Sequence, residues 1–246
     1  MRQTKTQSPP RPDGRIHAVH ILSVGAFGQA VAEALRGLLP DVSETRADLN
    51  YPPHPAFWPV ARIQLLAAWR PVPRLSRLLD EVSHAWRTPF VEAVIETPNL
   101  RVGPVVVPGF GPCHACAERR AVQHSPRPEE HRALREFYDA NPQQGPQGFL
   151  PVFAEIAAVR LAQLVRQLDG DPAAAAGRVW LLNTIHRYAV SSEVVGIHGC
   201  PRCGLKRDEA TRSFVALRRE VADLLALDAA DGLTEAQDAA EPVAAA

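Results

Sequence analysis

Two apolar patterns alternate along the first half of the chain: short unbroken apolar runs, and longer segments with apolar residues at helical spacing. Residues 16–24 form an apolar run typical of a buried strand, and residues 29–39 carry apolar side chains at helical spacing. Further strands are predicted at residues 63–69, 90–96 and 101–107, with an amphipathic helix at residues 73–86. Strands that alternate with helices predict an α/β fold in three layers, with a sheet between two layers of helices.

The second half is dominated by helical patterns. Helices are predicted at residues 116–123, 129–138, 151–168 and 209–225, and a late strand pair at residues 178–184 and 188–195. Residues 173–176 follow a Gly-Asp-Pro sequence and are interpreted as a loop. The expected core side chains of the long helix are Ile156, Val159, Leu164 and Leu168.

The two ends differ in composition from the rest. Residues 1–14 are polar and rich in proline, and residues 227–246 are rich in Ala, Asp and Glu without periodic large apolar side chains. Such segments cannot bury enough apolar surface to fold, so both are predicted to be disordered tails. Residues 15–226 are then expected to form a single domain, and the 246-residue chain is long enough for a sizeable core.

Charge excludes two classes of partner. The 27 basic side chains are balanced by 27 acidic ones, so no net positive field favours nucleic acid or an anionic membrane. No apolar run approaches the ~20 residues of a spanning helix. We therefore expect a soluble cytoplasmic protein that binds neither nucleic acid nor membrane, and a zinc-ribbon module for nucleic acid is disfavoured.

Two Cys-x-x-Cys pairs carry the strongest chemical signal. They are Cys113 with Cys116 and Cys200 with Cys203, and they use every cysteine in the chain. Four thiolates in two spaced pairs suit tetrahedral Zn²⁺ at about 2.3 Å per Zn–S bond. Two disulfides or redox-active pairs are the alternatives, but neither a signal peptide nor a thioredoxin-like context accompanies them. We predict one structural zinc site with these four ligands.

Neighbouring residues fit that prediction. Gly and Pro residues surround both pairs and allow the tight turns that wrap a metal. His114 and His198 lie beside the cysteines, but four thiolates already fill a tetrahedral sphere, so these histidines are expected on the surface or around the ligands. The same closure leaves no open position for water or substrate, which favours a structural role over a catalytic one.

A second candidate site follows the first predicted strand. Gly25 and Gly28 lie in a Gly-Ala-Phe-Gly turn between strand and helix, as at the start of a nucleotide-binding unit. A phosphate-binding loop usually has three glycines, and Phe27 would add bulk near the phosphates. Asp48 is a weak candidate for the acidic residue that closes the second strand. A degenerate nucleotide loop and a turn that only packs on the sheet therefore both remain open.

Three stretches together resemble one known family. They are LRVGPVVVPGFGPCHACAERR at residues 100–120, GFLPVFAEIAAV at residues 148–159 and VGIHGCPRCG at residues 195–204. Over about residues 16–205 the chain resembles the ubiquitin-activating-enzyme-like (ThiF-like) cyclodehydratase partners, or leader-peptide-binding proteins, of thiazole/oxazole-modified peptide biosynthesis. The resemblance implies a Rossmann-like adenylating-enzyme fold with a structural zinc.

The resemblance also implies a role. In that family a YcaO-type cyclodehydratase uses ATP to form azolines on a ribosomally made precursor, while the partner protein presents the leader peptide and stimulates the enzyme. We therefore expect a noncatalytic subunit with two partners, the YcaO enzyme and the precursor, and a possible homodimer. Because the first strand begins near residue 16, no N-terminal winged-helix module is expected. The alternative is an adenylyltransferase that activates a carboxylate with ATP at the Gly25 to Gly28 turn.

No independent catalytic constellation is evident. Ser23, Ser191 and Ser192 lack the G-x-S-x-G turn that would make one of them a nucleophile. Arg119 and Arg120 could meet an acidic leader peptide, although a solvated basic helix face is the more common arrangement. These residues leave the zinc site as the main chemical prediction.

Overall fold

The computed structural model describes residues 16–146 and 148–204. Within them the chain forms one seven-stranded sheet. The strands are β1 (His17–Val24), β2 (Val42–Arg46), β3 (Ala61–Ala68), β4 (Phe90–Glu96), β5 (Asn99–Val106), β6 (Arg178–Asn183) and β7 (Tyr188–Glu193). All the predicted strands are present. The additional strand, β2, is a half-exposed edge strand whose polar sequence gave no apolar pattern.

In the described part of the chain, six α-helices connect and cover the strands. They are α1 (Gly25–Leu38), α2 (Pro73–Trp86), α3 (His114–His124), α4 (Pro128–Ala140), α5 (Pro151–Gly170) and α6 (Pro172–Ala175), with a 3₁₀ turn at Pro55–Phe57. Four of them begin with a proline, which lacks the N–H group that the first helical turn leaves unpaired. Helix α6 corrects the prediction of a loop there, because the Asp171 side chain caps the turn by accepting the Ala174 N–H.

The sheet has a parallel half and an antiparallel half. The strand order is β2-β1-β3-β4-β5-β6-β7, and the first four strands in this order are parallel. The pairs from β4 to β7 are antiparallel. Because β1 leads to β2 on one side and lies beside β3 on the other, the strand order reverses at the carboxyl ends of β1 and β3. Open α/β sheets usually bind ligands at this position.

Two apolar cores lie on opposite faces of the sheet. On one face, α1 and α5 pack together over residues such as Val19, Ile21 and Leu65. On the other, α2 covers Leu22 and Leu66, which are the next residues along the same strands. This alternation is the period of two that places successive strand side chains on opposite faces. The predicted three-layer α/β architecture is confirmed.

Small side chains form the buried face of helix α5. Its buried positions are mainly alanines, and they are Ala154, Ala157, Ala158, Leu161, Ala162, Val165 and Leu168. Leu168 is therefore a core residue as predicted, whereas Val159 is 44% exposed and its prediction was wrong. Ile156 and Leu164 pack at the margin of the core. The alanines let α5 approach α1 closely, and an apolar pattern built on large residues does not reveal that stripe.

The predicted glycine turn is part of a helix. Helix α1 begins at Gly25, directly after β1, so residues 25–28 form its first turn rather than a separate loop. Gly25 has φ of 66°, a left-handed conformation that glycine adopts without steric cost. Phe27 is fully buried in the core and packs edge-on against Phe149, so its ring does not project toward a phosphate position.

Some predictions fall outside the described residues. The two predicted tails and the helix at residues 209–225 are among them. Within the described part of the chain, no helix combines the length and the apolar character that crossing a membrane requires.

Candidate metal centre and nucleotide crevice

The fold brings all four cysteines together. Their sulfur atoms lie within 4.8 Å of one another. The Sγ–Sγ distances are 3.9 Å from Cys113 to Cys116, 3.7 Å from Cys113 to Cys200 and 3.3 Å from Cys116 to Cys203. Tetrahedral Zn–S bonds would place sulfurs about 3.8 Å apart. The cluster could therefore hold a metal ion, and its all-sulfur donor set suits zinc.

Each pair is shaped by a local turn. Cys113 is the residue before helix α3, and the N–H of Cys116 bonds to its carbonyl at 3.0 Å, so the helix begins inside the first pair. In the second pair, Gly204 donates its N–H to the Cys200 carbonyl at 2.7 Å. The turn is preceded by Gly199, whose φ of 75° favours glycine. Both turns present their sulfurs to the same point.

Backbone N–H groups also face the sulfurs. Ile197 donates its N–H to Cys116 Sγ at 3.4 Å. Burial would raise the pKa of the Cys200 thiol, but the N–H groups of Cys203 and Arg202 lower it to about 6. Burial raises the pKa of Cys203 to about 11 and that of Cys113 further above its ordinary value. A bound metal would therefore displace protons from these thiols.

A single carboxylate on helix α2 joins the two cysteine pairs. Asp80 is 1% exposed. Its Oδ1 accepts the His114 N–H at 3.1 Å, inside the first pair. Its Oδ2 accepts a hydrogen bond from Arg202 Nη1 at 2.6 Å, inside the second pair. The arrangement fixes the two turns against α2 and against each other.

His114 continues this network into the sheet. Its ring is 2% exposed, and Nε2–H donates to Glu92 Oε1 on β4 at 3.0 Å. Burial alone would raise the pKa of Glu92, but His114 and Arg101 lower it below its usual range. Burial alone would lower the pKa of His114, but the Glu92 charge raises it. His198, in contrast, is exposed. Of the two neighbouring histidines, one therefore supports the cysteine turn and the other faces solvent.

The charged network extends beyond the cysteines. Arg101 on β5 bonds both Glu92 and Glu96 at 2.8 Å. Arg135 on α4 reaches Glu118 on α3 at 2.8 Å. Each buried charge of this network thus has an opposite partner, which offsets the cost of removing it from water. The network connects the first cysteine helix to the middle of the sheet.

The crevice at the carboxyl ends of β1 and β3 is occupied by the protein itself. The Trp69 indole lies against the backbone at Gly25, where an added Cβ would be 2.5 Å from its Cδ1. At the other end of the indole, a Cβ on Gly145 would be 2.8 Å from Cζ3. The indole is thus held between the start of helix α1 and the segment that precedes α5. It covers the helix N-terminus to which a phosphate would bind in a nucleotide-binding member of this fold class.

The second glycine has a packing role. A Cβ on Gly28 would lie 2.5 Å from the carbonyl oxygen of Ala67 and 2.9 Å from the carbonyl carbon of Ser23. Helix α1 therefore approaches β1 and β3 as closely as a glycine allows. This contact accounts for a glycine at position 28 without any ligand. It gives a direct structural reason for the interpretation in which the turn only packs on the sheet. Asp48 is exposed and accepts only the Asn50 N–H among the described residues.

The sequence patterns did not reveal the residues that hold the cysteine turns in place. Asp80 and Glu92 lie in elements that were predicted correctly, but neither has a sequence spacing that points to the cysteines. The sequence did show acidic side chains at positions where the helix and strand patterns predict burial. A buried carboxylate needs a partner, so these positions could have indicated a buried polar network. Arg202 lies between Cys200 and Cys203, and this position in the sequence was its signal.

Three proteins of known structure superpose on this chain. The heterocyclase TruD superposes with a TM-score of 0.56 at 18% identity, covering 78% of this chain and 28% of TruD. A heterocyclase in complex with substrate and cofactor gives 0.55 at 16% identity, covering 76% of this chain and 25% of that protein. Escherichia coli MccB with succinimide gives 0.53 at 17% identity, covering 76% and 67%. The chain shares the fold of these proteins. The Rossmann-like fold implied by the sequence resemblance is confirmed.

The similarity covers only part of the two heterocyclases. This chain spans about a quarter of the length of the two heterocyclases. MccB, described as a microcin C7 biosynthetic enzyme, has also been seen in complex with N-formylated MccA, with a TM-score of 0.52. No protein-family model matches the sequence. No curated protein matches it either.

Proposed function

We propose that this chain is an accessory subunit in the biosynthesis of a ribosomally made peptide. It acts beside a YcaO-type cyclodehydratase, and it presents the precursor peptide or activates the enzyme. The main support is the fold that it shares with two heterocyclases and with MccB over about three quarters of its length. The sequence resemblance at both cysteine pairs is consistent with this role.

The closed crevice favours an accessory role over an adenylating one. An adenylyltransferase of this fold class would need the start of helix α1 free for phosphates, and Trp69 covers it. Equilibrium titration with ATP and Mg²⁺ separates the two functions. Binding in the micromolar range that is lost in Gly25→Leu would favour the adenylyltransferase, whereas the accessory role expects no saturable binding.

We propose that the four cysteines hold a structural Zn²⁺. Cys113, Cys116, Cys200 and Cys203 would be its ligands, and the metal would fix the late turn after β7 to helix α3. Four thiolates leave no position for a substrate, so the ion would stabilise the fold rather than react. Reduced thiolates are typical of a reducing compartment, which supports a cytoplasmic location.

The experiment that tests the accessory role has two steps. The chain is co-purified with a YcaO enzyme encoded beside it, and a candidate precursor is then incubated with ATP and each protein alone or both together. A mass loss of about 18 Da per ring only when both proteins are present, from the water expelled on cyclisation, is the expected result. Equal ring formation without this chain would contradict the proposal.

A further inference from the structure

Among the described residues, the last strand of the sheet has no partner strand on its outer edge. All six residues of β7 are exposed, and in the described part of the chain no strand pairs with its outer side. Natural sheets usually protect such an edge with lysine, proline or a bulge. The sequence Tyr-Ala-Val-Ser-Ser-Glu has neither of those residue types, and its pairing with β6 is regular throughout.

The pairing identifies which backbone groups point outward. Val194 donates its N–H to the Gly177 carbonyl at 2.9 Å, just beyond the β6–β7 ladder. In an antiparallel strand, the backbone N–H and C=O groups of every second residue face the same neighbour. The backbone groups of Ser192, two residues before Val194, therefore also face β6. The N–H and C=O groups of Ser191 and Glu193 then point to the free edge. Their side chains lie on the face of the sheet covered by helix α5, since Ser191 is opposite Trp180.

A groove opens on that same face, beside the free edge. It has a volume of about 380 Å³ and lies between α5 and the β6–β7 pair. Trp180 forms part of its floor, and Arg160 of α5 stacks over the indole at 4.5 Å. Ser191 is small, so the groove extends past it toward the edge of β7. A strand added to this edge would have a side chain opposite Ser191 with access to the groove.

The groove carries a net positive charge. Arg160 bonds Gln163 at 3.0 Å and stacks on Trp180, and neither Arg160 nor Arg178 forms an ion pair with a carboxylate of the described residues. Glu193 is the residue paired with Arg178 across β6 and β7. Glu193 is the one acidic side chain among the lining residues. Two guanidinium groups facing one carboxylate attract a further acidic group, and Arg is well suited to hold it.

We propose that the free edge of β7 and this groove bind an extended acidic segment of the precursor peptide. The segment would add as an eighth strand, with main-chain hydrogen bonds to Ser191 and Glu193. Every second side chain would face the α5 side, and an acidic one opposite Ser191 would meet Arg160 and Arg178. Strand addition of this kind draws its affinity from the backbone and its specificity from alternate side chains. The inference rests on the proposed function for the identity of the peptide.

Charge favours a peptide over a second copy of this chain. A second β7, paired antiparallel about a twofold axis at Ser191, would present only serine and alanine side chains opposite the groove. Glu193 of the second copy would then lie opposite Ala189, at the end of the strand away from Arg178. Such a dimer would leave the positive charge of the groove unneutralised, whereas an acidic peptide neutralises it.

The test uses the full chain and defined synthetic peptides. The probe is a fluorescein-labelled peptide of alternating glutamate and valine, and its controls are a lysine–valine peptide and one with the same residues in two blocks. Fluorescence anisotropy should show the alternating acidic peptide binding at least about tenfold more tightly than either control. Ser191→Pro removes an outward N–H and should abolish this binding, whereas Ser191→Ala, which keeps the N–H, should not.

A second variant distinguishes the loss of a binding site from misfolding. Arg160→Glu with Arg178→Glu leaves the backbone edge intact, and it should reverse the preference toward the lysine–valine peptide. Circular dichroism and thermal unfolding of each variant confirm that it folds. Equal binding of all three peptides by the unmodified chain would overturn the inference. So would a concentration-dependent dimer that Ser191→Pro disrupts, because the edge would then belong to a second copy.

The same proteins separate this inference from the proposed function. If the chain joins the YcaO enzyme and supports ring formation, but binds the acidic peptide no better than its controls, the edge site is wrong and the accessory role stands. If the chain binds the acidic peptide at β7 but neither joins the enzyme nor affects ring formation, the accessory role is wrong and the edge site stands.

Discussion

Arg202 donates a hydrogen bond to Asp80 across 122 positions of sequence, with Nη1 2.6 Å from Oδ2. The other oxygen of the same carboxylate accepts the backbone N–H of His114. Because His114 and Arg202 each lie inside a Cys-x-x-Cys pair, the geometry of the candidate metal site depends on a residue that is not a ligand. Partners of this kind orient metal ligands and are often needed for full affinity.

Asp80→Asn should weaken metal binding without removing it. The amide keeps the shape of the carboxylate but loses the charge that holds Arg202, so we expect metal affinity to fall by about tenfold or more. Competition against a chromogenic chelator measures this. Glu81→Gln is the matched control, because Glu81 is 60% exposed and contacts the same arginine at 3.4 Å. Equal affinity losses in the two variants would contradict a special role for Asp80.

Cys200→Ser should release the metal and lower the melting temperature. The substitution removes one of four sulfurs, and a structural site contributes its binding free energy to folding. Metal content per chain and thermal unfolding are the two measurements. His198→Ala changes an exposed side chain two positions away and should alter neither. A Cys200→Ser protein with full metal content and an unchanged melting temperature would rule out the shared site.

Two glycines of helix α1 should respond oppositely to alanine. Gly28→Ala places a Cβ 2.5 Å from the Ala67 carbonyl oxygen and should destabilise the protein by about 2 kcal/mol or more. Gly37→Ala meets nothing within 4 Å and should stabilise it by up to about 1 kcal/mol, because it lowers the entropy of the unfolded chain. Urea unfolding gives both values. A neutral Gly28→Ala would show that α1 can move away from the sheet.

His20 should make stability depend on pH. Its ring is buried between Gln64 and Thr45, with Nδ1–H donating at 2.6 Å and Nε2 accepting at 2.9 Å. Burial lowers its pKa to about 4. Between pH 6.5 and 4 the unfolded chain binds a proton that the folded one does not, so the unfolding free energy should fall as pH falls. The expected loss is about 2 kcal/mol from pH 8 to pH 5.

The control for this pH dependence is His20→Gln, which has both a donor and an acceptor but does not titrate. Urea unfolding of both proteins at several pH values shows the difference. The variant should be less stable at pH 8 because its fit is poorer, and its stability should change less between pH 8 and pH 5. Parallel profiles would mean that other groups cause the acid sensitivity.

The sequence predicted the elements better than the contacts between them. Apolar runs identified β1, β3 and β4, because a strand buried on both faces needs apolar residues throughout. The polar strand β2 was missed, since half-exposed strands at an edge have no such pattern. Val159 was placed in the core although alanines fill that face of α5. Periodicity reports which residues are large and apolar, and not which positions a close helix contact requires.

The same limit applies to the candidate sites. The cysteines could be grouped because their spacing is short and regular, and the structure places all four together. Asp80 reaches them only through the packing of α2 on α3, which no local pattern encodes. Trp69 ends the predicted strand at residues 63–69, and its position over Gly25 depends on how the segment before α5 returns to the sheet. Long-range packing decided both cases.

With a metal bound at the four sulfurs, the chain between Cys113 and Cys203 becomes a closed ring. That ring contains helix α5, which packs on α1 near the start of the domain, and the last two strands of the sheet. Strands β6 and β7 could not then detach by themselves, because opening the ring means losing the ion. Loss of metal should therefore cause faster amide hydrogen exchange in β7 and also in α5, which lies at least 30 residues along the chain from any of the four cysteines.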